Sequence, residues 1–139
     1  MKPALRRVTR NPEYSFNVRK DIGPNTLYNL WHHHPEIELF LIRGGKGIQI
    51  VGDSTSNITE GCHMIITGPY LPHALSYERA DEQKEVEAIV VHFFPDVLGA
   101  AFMDLPEMAP VKELFSLTTY GLSVKGETLA FLEKEMFTL

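Results

Sequence analysis

The chain has 139 residues, the size of one ordinary domain, with 44% hydrophobic and 22% charged residues. This composition excludes an intrinsically disordered chain and allows one sizeable core. The formal net charge of −5 argues against a domain that grips nucleic acid, because such domains normally carry a basic face. We interpret the basic residues near the N-terminus, Arg6, Arg7 and Arg10, as a solvated terminus.

Cysteine usage and hydropathy indicate the compartment. The single cysteine, Cys62, excludes an internal disulfide, and a packed structural thiol is favoured there over a nucleophile. No segment resembles a signal peptide or a membrane span. We therefore expect a cytoplasmic protein that makes no contact with a membrane.

The segment from about Tyr14 to Phe94 predicts short strands joined by tight turns. Six runs are rich in β-branched and aromatic residues and are bounded by turn residues: YSFNVRK, EIELFLIRG, KGIQIVGD, HMIITG, HALSYE and EVEAIVVHFF. Several short strands at this spacing are typical of an antiparallel sandwich or barrel. The predicted fold class is therefore mainly β.

After Phe94 the pattern changes to that of helices, in FPDVLGAAFMDL, APVKELFSL and GETLAFLEKEMFTL. The last helix carries an apolar stripe that consists of Leu129, Leu132, Met136 and Leu139. This stripe could belong to the core or to a dimer interface, and we favour the interface. The chain stops inside this helix without a C-cap signal, so we expect a fragment. Residues 1–94 then form a β-domain with an N-terminal arm, and residues 95–139 a helical segment.

A histidine-rich run, WHHHPEIE, begins at residue 31. His32 and His34 share one face of a strand because side chains alternate. Glu38 has the same parity, but on a straight strand it would lie about 13 Å from His34, so a bend at the intervening proline is required. With His73 from another strand, three imidazoles and a carboxylate would suit zinc, iron, nickel or manganese. The alternative is a metal-free pocket in which these groups satisfy one another or hold a polar ligand.

Three further residues are ligand-binding candidates. Tyr28 and Trp31 could stack on a sugar ring or belong to the core. His92 lies in the apolar run AIVVHFF, where it is either a hydrogen-bonded core histidine or part of the pocket. We assign no catalytic residue, because no further acid–base group is spaced to indicate a particular reaction.

The histidine-rich run resembles the first motif of the cupin family: His32-x-His34, three residues, Glu38, six residues and Gly45. The stretch from Gly61 to Pro72-His73 resembles the second motif. This resemblance implies a cupin-like antiparallel β-barrel, the double-stranded β-helix or jelly roll. In metal-binding cupins the residues that correspond to His32, His34, Glu38 and His73 are the ligands, and sensing cupins have often lost the metal.

The second cupin-like motif departs from the family pattern in three places. Gly68 stands where the family has proline, and Tyr70 where it has glycine. Tyr77 lies near the place of the family's asparagine. These departures bear on metal binding and leave the expected barrel unchanged.

A narrower resemblance covers HHHPEIELFLIRGGKGIQIVGD, GCHMIITGPYLPHALSYE and VVHFFPDVLG. In this order, these segments look like the N-terminal domain of AraC-type transcription regulators. The resemblance implies a non-enzymatic domain that binds a small polar effector, such as a sugar, and forms a homodimer through its C-terminal helices. DNA would be bound only through a helix-turn-helix domain beyond Leu139.

Two other functions remain open. The first is a stand-alone metal-dependent cupin enzyme, a dioxygenase or an isomerase, in which the four ligands leave positions open for substrate. The second is a dimerisation scaffold that binds no ligand. The translated sequence beyond Leu139 would separate the first function from the regulator, and a thermal-shift screen would separate the second, because a ligand raises the melting temperature.

Overall fold

The computed structural model describes residues 2–9, 11–23, 27–59, 61–79 and 85–139, and two sheets dominate this part of the chain. In pairing order, sheet A contains β1 (Ala4–Leu5), β3 (Leu27–His33), β8 (His73–Arg79), β5 (Gly45–Val51) and β6 (Ser54–Ile58). Sheet B contains β10 (Leu122–Val124), β7 (Cys62–Thr67), β4 (Ile37–Arg43), β9 (Val86–Phe93) and β2 (Phe16–Gly23). Neighbouring strands are antiparallel, except that β1 and β3 are parallel.

The path of the chain through the two sheets is that of a jelly roll. From β2 to β9, consecutive strands alternate between sheet B and sheet A, apart from the β5–β6 hairpin, which stays in sheet A. The predicted mainly β, cupin-like fold is therefore confirmed. The described strands form two sheets and do not pair into one closed barrel.

All six runs that predict strands form strands, as β2, β4, β5, β7, β8 and β9. The strand expected at the histidine-rich run is β3, which contains His32 but ends before His34. The sequence did not predict β6, whose residues Ser54–Asn57 are exposed and polar. It also missed the short strands β1 and β10, which pair at the edges of the sheets. These three depend on pairing with a neighbour and carry little pattern of their own.

The central strands β4 and β9 are buried on both faces. On the face between the sheets, Phe40, Ile42 and Val90 belong to one apolar cluster, which also includes Tyr77 of sheet A. On the other face, side chains of β4 and β9 such as Leu41 pack in a second cluster, beneath the C-terminal segment. This double burial explains why β4 and β9 read as nearly continuous apolar runs.

The helices are α1 (Ala100–Met103), α2 (Ala109–Leu117) and α3 (Gly126–Met136). The prediction for α2 is confirmed to the residue. The predicted start of the first helix at Pro95 is wrong, because residues 95–98 form a turn and Gly99 takes a φ of 87°, outside the helical region. No helix among the residues described here is long and apolar enough to cross a membrane.

Helix α3 packs on the outer face of sheet B. Leu129, Leu132 and Met136 belong to the second apolar cluster, whereas Leu139 is 56% exposed. The preference for an interface is therefore wrong for the first three residues of the stripe, which form part of the chain's own core. Arg43 of β4 fastens this helix, because it donates to Glu133 over 3.0 Å and its guanidinium lies 3.6 Å from the centre of the Phe137 ring.

The N-terminal arm, residues 2–9, lies beside the strand that carries the first histidine. In the parallel pairing of β1 with β3, Ala4 is opposite His32 and Leu5 is opposite His33. The backbone N–H of Arg6 donates to the carbonyl of His33 over 2.9 Å. The pairing of β1 with β3 and the backbone of Arg6 thus place the arm along β3.

Candidate functional site

The histidine-rich run crosses from one sheet to the other. Strand β3 ends at His33 and β4 begins at Ile37, so the predicted break around Pro35 is confirmed. The break returns the His34 ring toward β4, where its Nε2 lies 3.0 Å from Oε2 of Glu38. A straight strand could not have made this contact.

Four buried side chains meet between the sheets: His32, His34, Glu38 and His73. Each offers one ligand atom, and these atoms all lie within 4.8 Å of one another. His32 and His73 are directly opposite each other in the pairing of β3 with β8. The structure thus brings together all four residues that the sequence selects as metal ligands.

Backbone carbonyls orient two of the rings. The Nδ1 of His32 lies 2.5 Å from the carbonyl of Leu30, and the Nδ1 of His73 lies 2.8 Å from that of Leu71. A ring that donates from Nδ1 keeps the lone pair of Nε2 free. Metal-binding histidines are commonly fixed in this way, with the distal nitrogen hydrogen-bonded to a carbonyl or carboxylate.

Glu38 is the charged centre of the site. Burial alone would raise its pKa, but the imidazoles of His34, His73 and His92 beside it hold the pKa well below its usual range. The shortest of these contacts joins Nε2 of His92 to Oε2 of Glu38 over 2.7 Å. His92 therefore lies in the site and orients the carboxylate.

The pKa values of His32 and His73 shift in opposite directions, although Glu38 acts to raise both. For His73, burial lowers the pKa, but the adjacent Glu38 outweighs burial and raises it. For His32, burial dominates and lowers the pKa to about 4. At neutral pH the site accordingly contains an ionised Glu38 and a neutral His32 that can act as an acceptor or a ligand.

Glu36 is a site residue that the sequence analysis did not select. Its side chain is almost fully buried, and its Oε2 lies 3.5 Å from Nδ1 of His34. Neither atom has a hydrogen-bond partner within the described part of the chain. No feature of the sequence marks this residue, because a glutamate that follows proline at a break between strands is typical of an exposed turn.

The residues present fit a divalent transition metal. Ligands bound at about 2.0–2.2 Å and at right angles lie about 3 Å apart, close to the 3.0 Å between His34 and Glu38 and the 3.5 Å between His73 and Glu38. The Nε2 of His73 is buried without a hydrogen-bond partner among the described residues. In a metal-bound site His34 would bind through Nε2, and its Nδ1 would face Glu36.

A cavity of about 440 Å³ opens beside this cluster. The buried side chains of His32, His34, Glu38 and His92 line it on one side, and Arg6, Arg7, Val8 and Thr9 of the arm line it on another. Its volume is within the range of small-molecule pockets, roughly 300–1,000 Å³. The exposed basic arm that the sequence indicates is thus also a wall of the cavity, while Arg10 lies outside the described residues.

Neither of the two aromatic candidates, Tyr28 and Trp31, is among the described residues that line this cavity. Trp31 is half-buried and does not belong to the described lining. The side chain of Tyr28 lies outside the described residues, although its backbone belongs to β3. Cys62 lies away from the cavity, and burial together with the nearby Glu133 raises its pKa to about 12, in agreement with a structural thiol.

The loop before His73 contains two of the three departures from the cupin pattern, Gly68 and Tyr70. A Cβ at Gly68 would lie 2.7 Å from the Thr118 hydroxyl and 2.8 Å from its backbone, so only glycine fits against this turn after α2. Tyr70 has a φ of 61°, the left-handed conformation that glycine adopts most easily. Its N–H donates to the carbonyl of His34 over 2.7 Å. The loop therefore connects the histidine site to the C-terminal helices.

Fold and site together define the class: a cupin-like jelly roll with a buried histidine–glutamate cluster and C-terminal helices. No protein-family model and no curated protein matches the chain. Among solved structures, ToxT from Vibrio cholerae is 13% identical, with a TM-score of 0.56 over 88% of this chain and 47% of its own.

A second structure, ToxT from Vibrio cholerae O395 bound to (E)-4-(8-methylnaphthalen-1-yl)but-3-enoic acid, is 12% identical, with a TM-score of 0.55. It covers 89% of this chain and 48% of the ToxT chain. A cupin 2 conserved barrel domain protein from Rhodopseudomonas palustris is 19% identical, with a TM-score of 0.44 over 62% of this chain and 57% of its own. The chain thus shares the fold of part of ToxT and spans about half the length of ToxT.

The left-handed backbone at Tyr70 makes a prediction about stability. Tyr70→Gly and Tyr70→Ala both remove the ring, which contacts His33, but only glycine adopts the positive φ without strain. We expect Tyr70→Gly to be more stable than Tyr70→Ala by about 1 kcal/mol in urea unfolding. Equal stability of the two variants would show that the loop does not hold Tyr70 in this conformation.

Proposed function

We propose that the chain is the effector-sensing domain of an AraC-type transcription regulator and that it binds a small polar molecule in the cavity. The observation that carries this proposal is the cavity itself, which is lined by buried polar groups and by the N-terminal arm. ToxT, an AraC-family regulator, supports the proposal by its fold and by the carboxylic acid bound in one of its structures.

The contacts around the cavity provide a route from an effector to the C-terminal helices. An effector that contacts His34 would also affect the loop of Gly68–Pro72, because the N–H of Tyr70 donates to the His34 carbonyl. The same loop is packed against the turn at Thr118, whose carbonyl accepts from the N–H of Gly68 over 2.9 Å. An effector that binds one arrangement of arm and loop more tightly would shift the population of the helices.

Several parts of this function follow from the resemblance and stay predictions. DNA binding is assigned to a helix-turn-helix domain outside this chain, and the location to the cytoplasm. Homodimerisation through the C-terminal helices would use apolar side chains that α3 and sheet B leave uncovered, such as Leu114 and Leu117, both close to half exposed. Sedimentation equilibrium of the chain measures that association directly.

A cavity-filling variant tests whether the cavity is the effector site. We expect a screen of sugars and metabolites to identify a compound that stabilises the protein by about 2.7 kcal/mol at a hundred times its dissociation constant. Asn17→Trp places a large ring in the cavity wall and should abolish this stabilisation. Asn57→Trp, on the exposed part of β6, is the matched control and should keep it.

Two results of the same screen would contradict the proposal. The first is that no compound stabilises the wild-type protein in a concentration-dependent manner. The second is that a compound stabilises wild-type and Asn17→Trp equally, which would place its site elsewhere on the molecule.

The complete ligand cluster favours a second candidate, a metal-dependent cupin enzyme. His32, His34, Glu38 and His73 would hold the ion, and a bound divalent metal supplies Lewis-acid activation of a substrate oxygen. His92 and Glu36 would orient Glu38 and His34. The cavity would admit the substrate from the side of the arm.

Cobalt(II) titration separates the cluster from its neighbours. We expect Co²⁺ to give visible d–d absorption with the wild-type protein, and His34→Ala to weaken binding by at least about a hundredfold. His33→Ala is the matched control, since His33 lies outside the cluster. Unchanged binding by His34→Ala would show that the cluster is no metal site, and turnover that requires the metal would favour the enzyme over the sensor.

A further inference from the structure

A polar row on the inner face of sheet B runs from the buried cluster to the edge strand β2. In the strand pairing, Asn17 of β2 is directly opposite His92 of β9, and His92 is directly opposite Glu38 of β4. Residues that are directly opposite each other in a sheet point to the same face. Asn17 and His92 therefore lie on the face that carries Glu38, and both line the cavity.

The ring of His92 is held at one of its two nitrogens. Its Nε2 lies 2.7 Å from Oε2 of Glu38, and because Glu38 is the ionised acceptor, Nε2 carries the proton of this contact. The two ring nitrogens point in different directions, so Nδ1 is turned away from Glu38. His92 is only 7% exposed, and its Nδ1 is buried without a hydrogen-bond partner among the described residues.

This tautomer determines what Nδ1 of His92 can bind. With the proton on Nε2, a neutral ring has a lone pair at Nδ1, which accepts a hydrogen bond and cannot donate one. A charged ring would instead place a buried N–H there without an acceptor, which costs more than a lone pair. A group that pairs with Nδ1 from the cavity must therefore be a hydrogen-bond donor.

Asn17 supplies the complementary group. Its side-chain amide has two N–H donors, and it lies at the partly buried end of the row. A hydroxyl group donates and accepts at the same time, so one hydroxyl can donate to His92 and accept from the Asn17 amide. An ether or a carboxylate has no proton to donate, and an ammonium group cannot accept. The pair of His92 and Asn17 therefore favours a hydroxyl over these groups.

We propose that the effector carries a hydroxyl group that donates to Nδ1 of His92 and accepts from the side-chain amide of Asn17. The apolar part of the molecule lies against Val8 and Val90, which line the same cavity. The inference rests on the proposed function, since it takes the cavity as the effector site. It narrows the small polar molecule to an alcohol, a chemistry that sugars, aliphatic alcohols and phenols share.

Matched pairs of compounds with and without the hydroxyl donor test this requirement by calorimetry. The pairs are cyclohexanol and methoxycyclohexane, phenol and anisole, and D-glucose and each of its singly deoxygenated forms. Methylation removes the donor and keeps the oxygen as an acceptor. We expect at least one alcohol to bind, and its partner to bind at least about tenfold more weakly, which corresponds to about 1.4 kcal/mol. The three pairs distinguish aliphatic alcohols, phenols and sugars.

Variants separate the lost hydrogen bond from the bulk of the added methyl group. Asn17→Leu removes the amide at similar size and should weaken binding of the alcohol about fivefold. In His92→Phe, the preference for the alcohol over its ether should fall to about twofold or less. Asn57→Leu makes the same change as Asn17→Leu on the exposed part of β6, outside the cavity lining. It should leave both affinities within about twofold, as expected for a surface position.

Nitrogen-15 NMR of histidine-labelled protein reads the tautomer directly and does not disturb the contact with Glu38. We expect Nδ1 of His92 to be unprotonated, with the proton on Nε2. The Nδ1 resonance should shift when the alcohol is added and stay unchanged when its ether is added. This measurement also tests the proposal if His92→Phe does not fold.

The outcomes separate this inference from the function on which it rests. Equal affinity for an alcohol and its ether, a protonated Nδ1, or unchanged alcohol binding by Asn17→Leu would make the hydroxyl assignment wrong, and the sensing function would stand. The same holds if the compound that binds in the cavity has no hydroxyl group. If no compound binds to the wild-type protein, both are wrong. A preference for an alcohol that depends on His92 and Asn17 supports both.

Discussion

A buried carboxylate is the constraint on which the site depends. Glu38 is almost fully removed from water, and an isolated charge in that position would cost several kcal/mol. The fold compensates this cost with His34 from the break between the sheets, His73 from sheet A and His92 from sheet B. Correct packing of both sheets is therefore needed before the charge is satisfied, which ties the stability of the site to the whole jelly roll.

The same strands serve the core and the C-terminal segment. Glu38, Phe40 and Ile42 face the space between the sheets. On the opposite face, Leu41 packs in the second apolar cluster and Arg43 donates to Glu133 of α3. Strand β4 thus carries Glu38 near one end and Arg43, which contacts the helix, at the other. This arrangement gives the sensing proposal a physical basis, together with the Gly68 loop and the arm.

The sequence predicted the features of the fold and of the site that depend on local residue patterns and on the cupin-like motif. The alternating strands, α2, the break at Pro35 and the meeting of His32, His34, Glu38 and His73 were all expected, and the structure contains them. Glu36 and the part of the cavity wall that the arm forms were missed, since burial of a turn glutamate and the position of the arm depend on tertiary contacts. The interface assigned to Leu129, Leu132 and Met136 failed because an apolar helical stripe has the same pattern whichever surface covers it.

Hydrogen–deuterium exchange with and without a bound effector tests the central claim most directly, since that claim is that the cavity transmits ligand binding to the arm and the Gly68 loop. The account predicts slower exchange at the amides of Arg6–Thr9 and of Gly68, Tyr70 and Leu71, with little change in the exposed strand β6. Binding that leaves exchange in both segments unchanged would contradict it.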